Sequence, residues 1–80
     1  MSQKNVTKIV ISTEFITLGQ FLKFVNIIQN GGEEKFFILE NNILVNGEDC
    51  KQRGKKLREK DIITINDSLV FEISKWFYLT

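Results

Sequence analysis

The stretch 16–23, Ile16-Thr17-Leu18-Gly19-Gln20-Phe21-Leu22-Lys23, contains a complete set of signals for the start of an α-helix. Thr17 and Gln20 have the spacing of a capping box, in which the threonine hydroxyl accepts from a helix N–H and the glutamine side chain accepts from the N–H of the cap residue. Ile16 and Phe21 flank this box as a hydrophobic staple, which sets the angle at which the chain enters the helix. We therefore predict a helix whose first residue follows Thr17.

Apolar residues continue from this start with the period of one helix face. Leu18, Phe21, Leu22, Val25 and Ile28 form the stripe, and this spacing is typical of an amphipathic helix. The triplet Asn30-Gly31-Gly32 then predicts the end of the helix, because glycine takes the left-handed cap conformation without steric cost. The first helix is thus expected to carry the stripe through Ile28.

The segment Glu33–Glu40 is predicted to form a second, shorter helix. Glu33 and Glu34 fall in its first turn, where the helix dipole favours negative charge. The Gly31-Gly32 joint is too short for a wide loop, so we expect the two helices to turn sharply and pack at an angle. Five phenylalanines are assigned to the core: Phe21, Phe24, Phe36, Phe37 and Phe71.

Short β-branched runs predict the strands of the chain. They are expected at residues 7–12, 43–45, 62–65 and 69–73. Asn46-Gly47 is a strong two-residue hairpin signal, and residues 66–68 join the last two strands as a turn. The order strand, helix, helix and then at least three strands predicts an α+β fold, with two angled N-terminal helices on a small, mostly antiparallel sheet. At 80 residues the chain is expected to be one domain, 1–80.

The aromatic C-terminal tail, residues 74–80, permits three interpretations. Trp76-Phe77-Tyr78 can fold back as a last strand, form an interface with a partner, or stack on bases. The second interpretation is the basis of an alternative function, a small protein-interaction adaptor with no nucleic-acid role.

The basic residues are concentrated in one part of the chain. The overall net charge is +1, but residues 51–60 contain six of the 11 basic residues against one acidic residue, a local charge of +5. We call residues 51–60 the basic segment. Such a cluster is a candidate binding surface for a polyanion, and a solvated surface loop is the alternative.

The composition excludes several kinds of catalytic and metal site. The chain has no histidine, so catalytic triads, Cys–His pairs and His-ligated zinc are impossible within it. Cys50 alone cannot form an internal disulfide or a thiolate metal cluster. Glu33 and Glu34 are explained by the helix start rather than by acid–base or metal chemistry. We expect no enzyme activity, no cofactor, no metal and no small-molecule substrate.

The chain shows no signal for a membrane or for secretion. No apolar run approaches the roughly 18–20 residues that span a bilayer. Residues Met1–Lys8 lack an apolar segment following a basic start, so no signal peptide is predicted. We therefore expect a soluble, cytoplasmic protein without a membrane partner.

Four short motifs occur in an order and spacing similar to those of a known family. They are Ile16-Thr17-Leu18-Gly19-Gln20-Phe21-Leu22-Lys23, Gln29-Asn30-Gly31-Gly32 followed by Lys35-Phe36, Leu44-Val45-Asn46-Gly47-Glu48, and Arg53-Gly54-Lys55-Lys56-Leu57. Over about residues 14–73 the chain resembles the S-four RNA-binding domain, the αL module named after ribosomal small-subunit protein S-four. It is more closely similar to the small stand-alone bacterial proteins of the YaaA/YbcJ type.

This resemblance implies a surface for structured RNA, ribosomal or transfer RNA, in ribosome assembly or RNA metabolism. It also implies the ribosome or another ribonucleoprotein as a candidate partner. In the family, the two helices and the loop through the basic segment make that surface. The matching positions are Lys23, Lys35, Arg53, Lys55 and Lys56, and Lys51 and Arg58 are added for their charge alone. Gly54 is expected to let the loop approach a phosphate closely, in a conformation barred to other residues.

The chain departs from the family pattern in two places. The second helix, whose opening is often basic in the family, begins here with Gly31-Gly32-Glu33-Glu34, which predicts a weaker phosphate contact by that helix. The Pro-Gly-Asp turn common before the penultimate strand is Glu59-Lys60-Asp61 here, a change expected to affect only the geometry of the turn.

Overall fold

The computed structural model describes residues 5–76, and their architecture confirms the α+β class. In these residues the elements are β1 (Val6–Ile11), β2 (Ile16–Thr17), α1 (Leu18–Phe24), α2 (Glu34–Glu40), β3 (Ile43–Val45), β4 (Glu48–Asp49), β5 (Lys56–Leu57), β6 (Ile62–Ile65) and β7 (Leu69–Lys75). A turn of 3-10 helix, Gly31–Glu33, leads directly into α2. Strands therefore outnumber helices in the described residues.

The start of α1 is the one that the capping signals predict. The N–H of Gln20 donates to Thr17 Oγ1 at 3.2 Å, and the N–H of Thr17 donates to Gln20 Oε1 at 3.0 Å. The capping box is therefore complete. Behind it, the Phe21 ring packs edge-on against Phe71 of β7, with centroids 5.1 Å apart and planes at 82°, which fixes α1 to the sheet.

The predicted end of α1 is wrong, because the helix stops at Phe24. Asn26 takes the left-handed conformation at φ 62°, and the N–H of Ile28 then donates back to Leu22 O at 3.3 Å. Ile28 stays buried because the chain folds back at this point, not because the helix reaches it. Gly31-Gly32 is not the helix cap, since it forms the 3-10 turn instead.

The main sheet is mostly antiparallel, as predicted. Its order is β1-β7-β6-β3-β4, and only the β1–β7 pair is parallel among the described strands. Asn46 and Gly47 connect β3 to β4 with φ values of 54° and 85°, which suits the hairpin turn expected there. β2 and β5 form a separate two-stranded antiparallel ladder beside this sheet.

The core is built from one face of each helix and alternate positions of the strands. Its buried members are Ile9, Ile11, Leu18, Phe21, Leu22, Ile28, Ile38, Ile43, Val45, Leu57, Ile63, Ile65, Phe71 and Ile73. Phe37 is partly buried against this core. The assignment of Phe24 and Phe36 to the core is wrong: they are 58% and 64% exposed, because each lies on the outer side of a helix that buries only one face.

The first residues of the aromatic tail continue the last strand. Ser74 and Lys75 belong to β7, where Lys75 lies opposite Ile11 of β1. The N–H of Trp76 donates to Ile11 O at 2.9 Å and extends this parallel pairing by one bond. Phe77 and Tyr78, the rest of the aromatic cluster, lie outside the described residues.

Candidate nucleic-acid interface

The basic segment is attached to the N-terminus of α1 by its backbone. β5, within this segment, pairs with β2 directly before α1. The N–H of Leu18 donates to Lys55 O at 2.8 Å, and the N–H of Gly19 donates to Arg53 O at 2.9 Å. The first N–H groups of a helix have no partner inside the helix, so here the basic segment supplies their acceptors. Its position is thereby fixed relative to α1.

A tight turn presents the centre of the basic segment to solvent. The N–H of Lys55 donates to Gln52 O at 3.1 Å, with Arg53 and Gly54 between them, and all four residues are exposed. The expectation that Gly54 takes a conformation barred to other residues is wrong, because its φ is not positive. A Cβ built on Gly54 meets nothing within 4 Å. The position of Gly54 is therefore open to solvent, and its backbone conformation does not require glycine.

Three predicted cations line one groove between α2 and the basic segment. Lys35 comes from α2, and Lys51 and Arg53 come from the basic segment. Ile38 and Leu39 form the apolar part of the wall. We call this cleft the basic groove. Lys35 precedes Lys51 by 16 positions, so two distant segments of the chain combine their positive charge at one place, as a polyanion surface requires.

Lys51 also closes the C-terminal end of α2. Its ammonium donates to Ile38 O at 3.2 Å and to Asn41 O at 2.9 Å. The last carbonyls of a helix lack intrahelical partners, and a cation is favourable there. The charge that marks Lys51 as a candidate RNA contact therefore also stabilises α2.

Lys56 and Arg58 lie on the other side of the basic segment, against an aromatic ring. Leu57 between them is buried, so the alternation of the strand directs its two neighbours outward. Lys56 Nζ is 4.8 Å from the centroid of the Phe15 ring, and Arg58 Cζ is 5.7 Å from it. Both distances are in the range of a cation–π interaction. Phe15 was not a predicted site residue, because nothing in the sequence indicates that residues 56–58 pack against it.

The charge of Lys23 is matched by an acidic residue of α2. Lys23 Nζ lies 3.7 Å from Glu34 Oε2, and the two side chains are 43% and 15% exposed. The Glu34 carboxylate also lies directly beside Gly19, where a Cβ would overlap it. The Glu34 carboxylate thus offsets the positive charge of Lys23, so Lys23 adds less to the positive potential of the surface than the other predicted cations do. Lys23 nevertheless lies on the same helix that anchors the basic segment.

Lys55 faces a second groove with mixed charge. Its lining includes Asn46, Glu48 and Asp49 of the β3–β4 hairpin in addition to Lys51 and Lys55. Asn46 is tied into the fold: its amide nitrogen donates to Asp61 Oδ1 at 3.0 Å, and its amide oxygen accepts from the N–H of Ile62 at 2.9 Å. The acidic side chains make this groove a poorer site for an anion than the basic groove.

Residues 5–76 lack two further kinds of feature. No group of three acidic or cysteine side chains there is arranged to hold a metal ion. None of the helices in this part of the chain is long and apolar enough to cross a membrane.

Comparison with known proteins identifies relatives over most of the chain. A sequence model of the S4 domain matches residues 9–73. The chain is also 46% identical over 63 residues to a Bacillus subtilis (strain 168) protein named "Probable ribosome maturation protein RlbA", covering 79% of this chain and 89% of that protein. The S4 match includes both helices, the basic segment and all of the described strands except the ends of β1 and β7. The predicted resemblance is confirmed.

Proposed function

Because this chain belongs to the S4 domain family, we propose that it binds structured RNA through the basic segment and α2, without catalysis. The observation that carries the proposal is the basic groove, where Lys35, Lys51 and Arg53 meet. The backbone anchor on Leu18 and Gly19 holds the basic segment in one position before any ligand arrives. A cation surface that is already ordered loses less conformational entropy on binding.

The shape of this surface suits RNA better than the grooves of DNA. Double-stranded RNA has a deep major groove that side chains cannot read, so it is recognised through its shape, phosphates and 2′-hydroxyls. A short helix beside a projecting basic turn can contact phosphates across such a surface. Arg53 can engage one phosphate with two hydrogen bonds, whereas Lys35, Lys55 and Lys56 act as mobile point charges. In this proposal the two helices pack at an angle and share one RNA-facing side.

The name of the relative supports ribosomal RNA as the ligand. The Bacillus subtilis protein is named for ribosome maturation, and 46% identity over nearly its whole length supports a related task here. We propose that the chain contacts ribosomal RNA in the cytoplasm during ribosome assembly, with transfer RNA as the second candidate ligand.

Binding to structured ribosomal RNA is expected to weaken steeply with salt. Five cations, Lys35, Arg53, Lys55, Lys56 and Arg58, would each displace condensed counterions, giving a slope of log affinity against log salt of about −3.5 to −4.5. Affinity should then fall by roughly 100- to 500-fold between about 50 and 200 mM salt. Titration of the purified chain with ribosomal RNA hairpins over a salt series measures this. Absent or salt-independent binding would contradict the proposal.

In this proposal Glu34 limits the contribution of Lys23 to RNA binding. The ion pair places a carboxylate where a phosphate would otherwise approach the Lys23 ammonium. An approaching phosphate would have to displace Glu34, which is largely buried beside Gly19. This explains how an S4 domain with Glu33 and Glu34 at the entry to α2 can still bind RNA, because the contact is concentrated in the basic segment.

The substitution Glu34→Gln is therefore expected to increase RNA affinity. With Lys23 released, the salt slope should steepen by up to about 0.9, and affinity at low salt should rise about threefold to eightfold. In the same background, Lys23→Gln should abolish the gain, whereas in the native chain Lys23→Gln should cost less than about twofold. Binding titrations of the native chain, the two single variants and the double variant at several salt concentrations complete this double-mutant cycle.

Glu33→Gln is the matched control for this experiment. Glu33 is the neighbouring residue and carries the same charge, but its carboxylate accepts from the N–H of Gln29 at 3.1 Å and from the Asn30 amide at 3.4 Å, not from a lysine. If Glu33→Gln raises affinity as much as Glu34→Gln, the effect comes from net charge alone and the role assigned to Glu34 is wrong.

A further inference from the structure

A third groove, mostly apolar, lies on the side of α1 where Lys56 and Arg58 lie. It is lined by Thr13, Glu14, Phe15, Ile16, Gln20 and Phe24, and we call it the aromatic groove. Phe24 is 58% exposed although it is a large aromatic residue in the last turn of α1. Exposed aromatic side chains grouped in a cleft often mark a binding surface.

Positive charge is placed directly against this aromatic wall. The antiparallel pairing of β2 with β5 sets Ile16 opposite Leu57 and Thr17 opposite Lys56. It thereby brings Lys56 Nζ to 4.8 Å and Arg58 Cζ to 5.7 Å from the Phe15 ring centroid. The acidic residue of the lining, Glu14, is itself engaged, since Lys75 Nζ donates to its carboxylate at 3.2 Å. Two cations therefore lie against the ring of Phe15, which forms part of the groove wall.

Gln20 adds a hydrogen-bonding group to the wall of the aromatic groove. Its amide oxygen accepts from the N–H of Thr17 in the capping box, which holds the side chain in place. Since the cap uses only the oxygen, the NH₂ group of the same amide is a donor beside the groove. A ligand that fits would have a flat apolar face, hydrogen-bond acceptors at its edge and negative charge attached to it.

We propose that the aromatic groove takes an unpaired nucleobase of the bound RNA, stacked on Phe24 and Phe15, while its flanking phosphates contact Lys56 and Arg58. A nucleobase has the flat face and the acceptors, and its phosphates carry the charge. Unpaired bases in loops and bulges are commonly recognised by stacking on aromatic side chains. The inference rests on the proposed function and extends it, because it specifies an unpaired nucleotide beside a helical stem as the element recognised.

The test compares two RNA hairpins that share one stem, one fully paired and one with a single bulged 2-aminopurine. The native chain is expected to bind the bulged hairpin about tenfold more tightly, since stacking of one base on an aromatic ring typically contributes a factor of that order. The 2-aminopurine fluorescence should be quenched on binding. Phe24→Leu keeps the apolar volume but removes the ring, so it should lower the preference to about twofold or less. Phe15→Leu should lower it similarly.

Phe36→Leu is the matched control, because Phe36 is equally exposed but lies on α2 outside the aromatic groove. It should leave the preference for the bulge unchanged.

Equal binding of both hairpins, with the salt dependence intact, would overturn this inference but not the proposed function. Failure to bind either hairpin at low salt would overturn both. If Phe24→Leu changes only the sedimentation behaviour of the chain, the groove is a protein contact and the inference is wrong.

Discussion

Simultaneous replacement of Arg53, Lys55 and Lys56 by glutamine is expected to weaken binding to structured RNA by about 100- to 500-fold at 0.1 M salt. The slope of log affinity against log salt should become shallower by about two to three, since each lost phosphate contact removes about 0.7 to 0.9 from it. Arg53 and Lys55 lie at the exposed turn of the basic segment and Lys56 lies outward from β5. The measurement is a binding titration of native and triple variant at four or more salt concentrations.

The fold should survive this triple substitution, which makes the result interpretable. The anchor of the basic segment uses the carbonyl oxygens of Arg53 and Lys55, and these remain after the side chains change. An unchanged circular dichroism spectrum and urea midpoint would verify this. Lys8→Gln is the control for net charge, because Lys8 is exposed on β1, at the edge of the main sheet. Lys8→Gln is compared with the single substitution Lys55→Gln, which removes the same charge from the basic segment. If the two substitutions flatten the salt slope equally, binding is diffuse and the assigned interface is wrong.

The parts of this fold that could be predicted from the sequence depend on contacts between residues close in the chain. The capping box of Thr17 and Gln20 and the Asn46-Gly47 turn each rest on hydrogen bonds or backbone angles within a few residues. Such signals are complete in the local sequence. For this reason the start of α1 and the turn between β3 and β4 are both at the predicted positions, whereas the short strand β4 was not predicted.

The end of α1 could not be predicted from the spacing of its apolar residues. That spacing indicates which residues are buried, but not whether a helix or another backbone conformation buries them. Val25 and Ile28 continue the stripe and do contact the core. Val25 does so as the C-cap residue of α1, whereas Ile28 does so only after the left-handed Asn26 has redirected the chain. Phe24 lies off this stripe, and its separate assignment to the core as an aromatic residue is wrong because the helix ends with that ring on its outer side.

The candidate site was predictable in its charge but not in its arrangement. The count of cations along the sequence identifies the basic segment, but contacts between distant residues decide what each cation does. Lys51 closes the end of α2, and Glu34 holds Lys23. Lys60, in the turn Glu59-Lys60-Asp61 before β6, takes the left-handed conformation at φ 76°, which costs a non-glycine residue about 1 kcal/mol or more.

Phe21→Ala is expected to reduce the free energy of unfolding by about 3–5 kcal/mol. The Phe21 side chain is fully buried and packs edge-on against Phe71. Its truncation removes apolar burial and leaves a cavity between α1 and β7. A chain of 80 residues has a total stability of only about 4–12 kcal/mol, so this loss is at least about a quarter of the total. Towards the lower end of that range the variant is largely unfolded at 37 °C. Urea unfolding followed by circular dichroism measures the change.

This substitution also tests how α1 supports RNA binding. The basic segment takes its position from the N-terminus of α1, so molecules that have lost α1 packing should not bind. The apparent dissociation constant should then rise by the inverse of the folded fraction, and it should return towards the native value on cooling. Phe36→Ala, at an exposed ring, should change the free energy of unfolding by no more than about 0.5 kcal/mol. If the two variants are equally stable, Phe21 does not hold α1 on the sheet. If RNA affinity stays native while Phe21→Ala is unfolded, binding does not depend on the anchored basic segment.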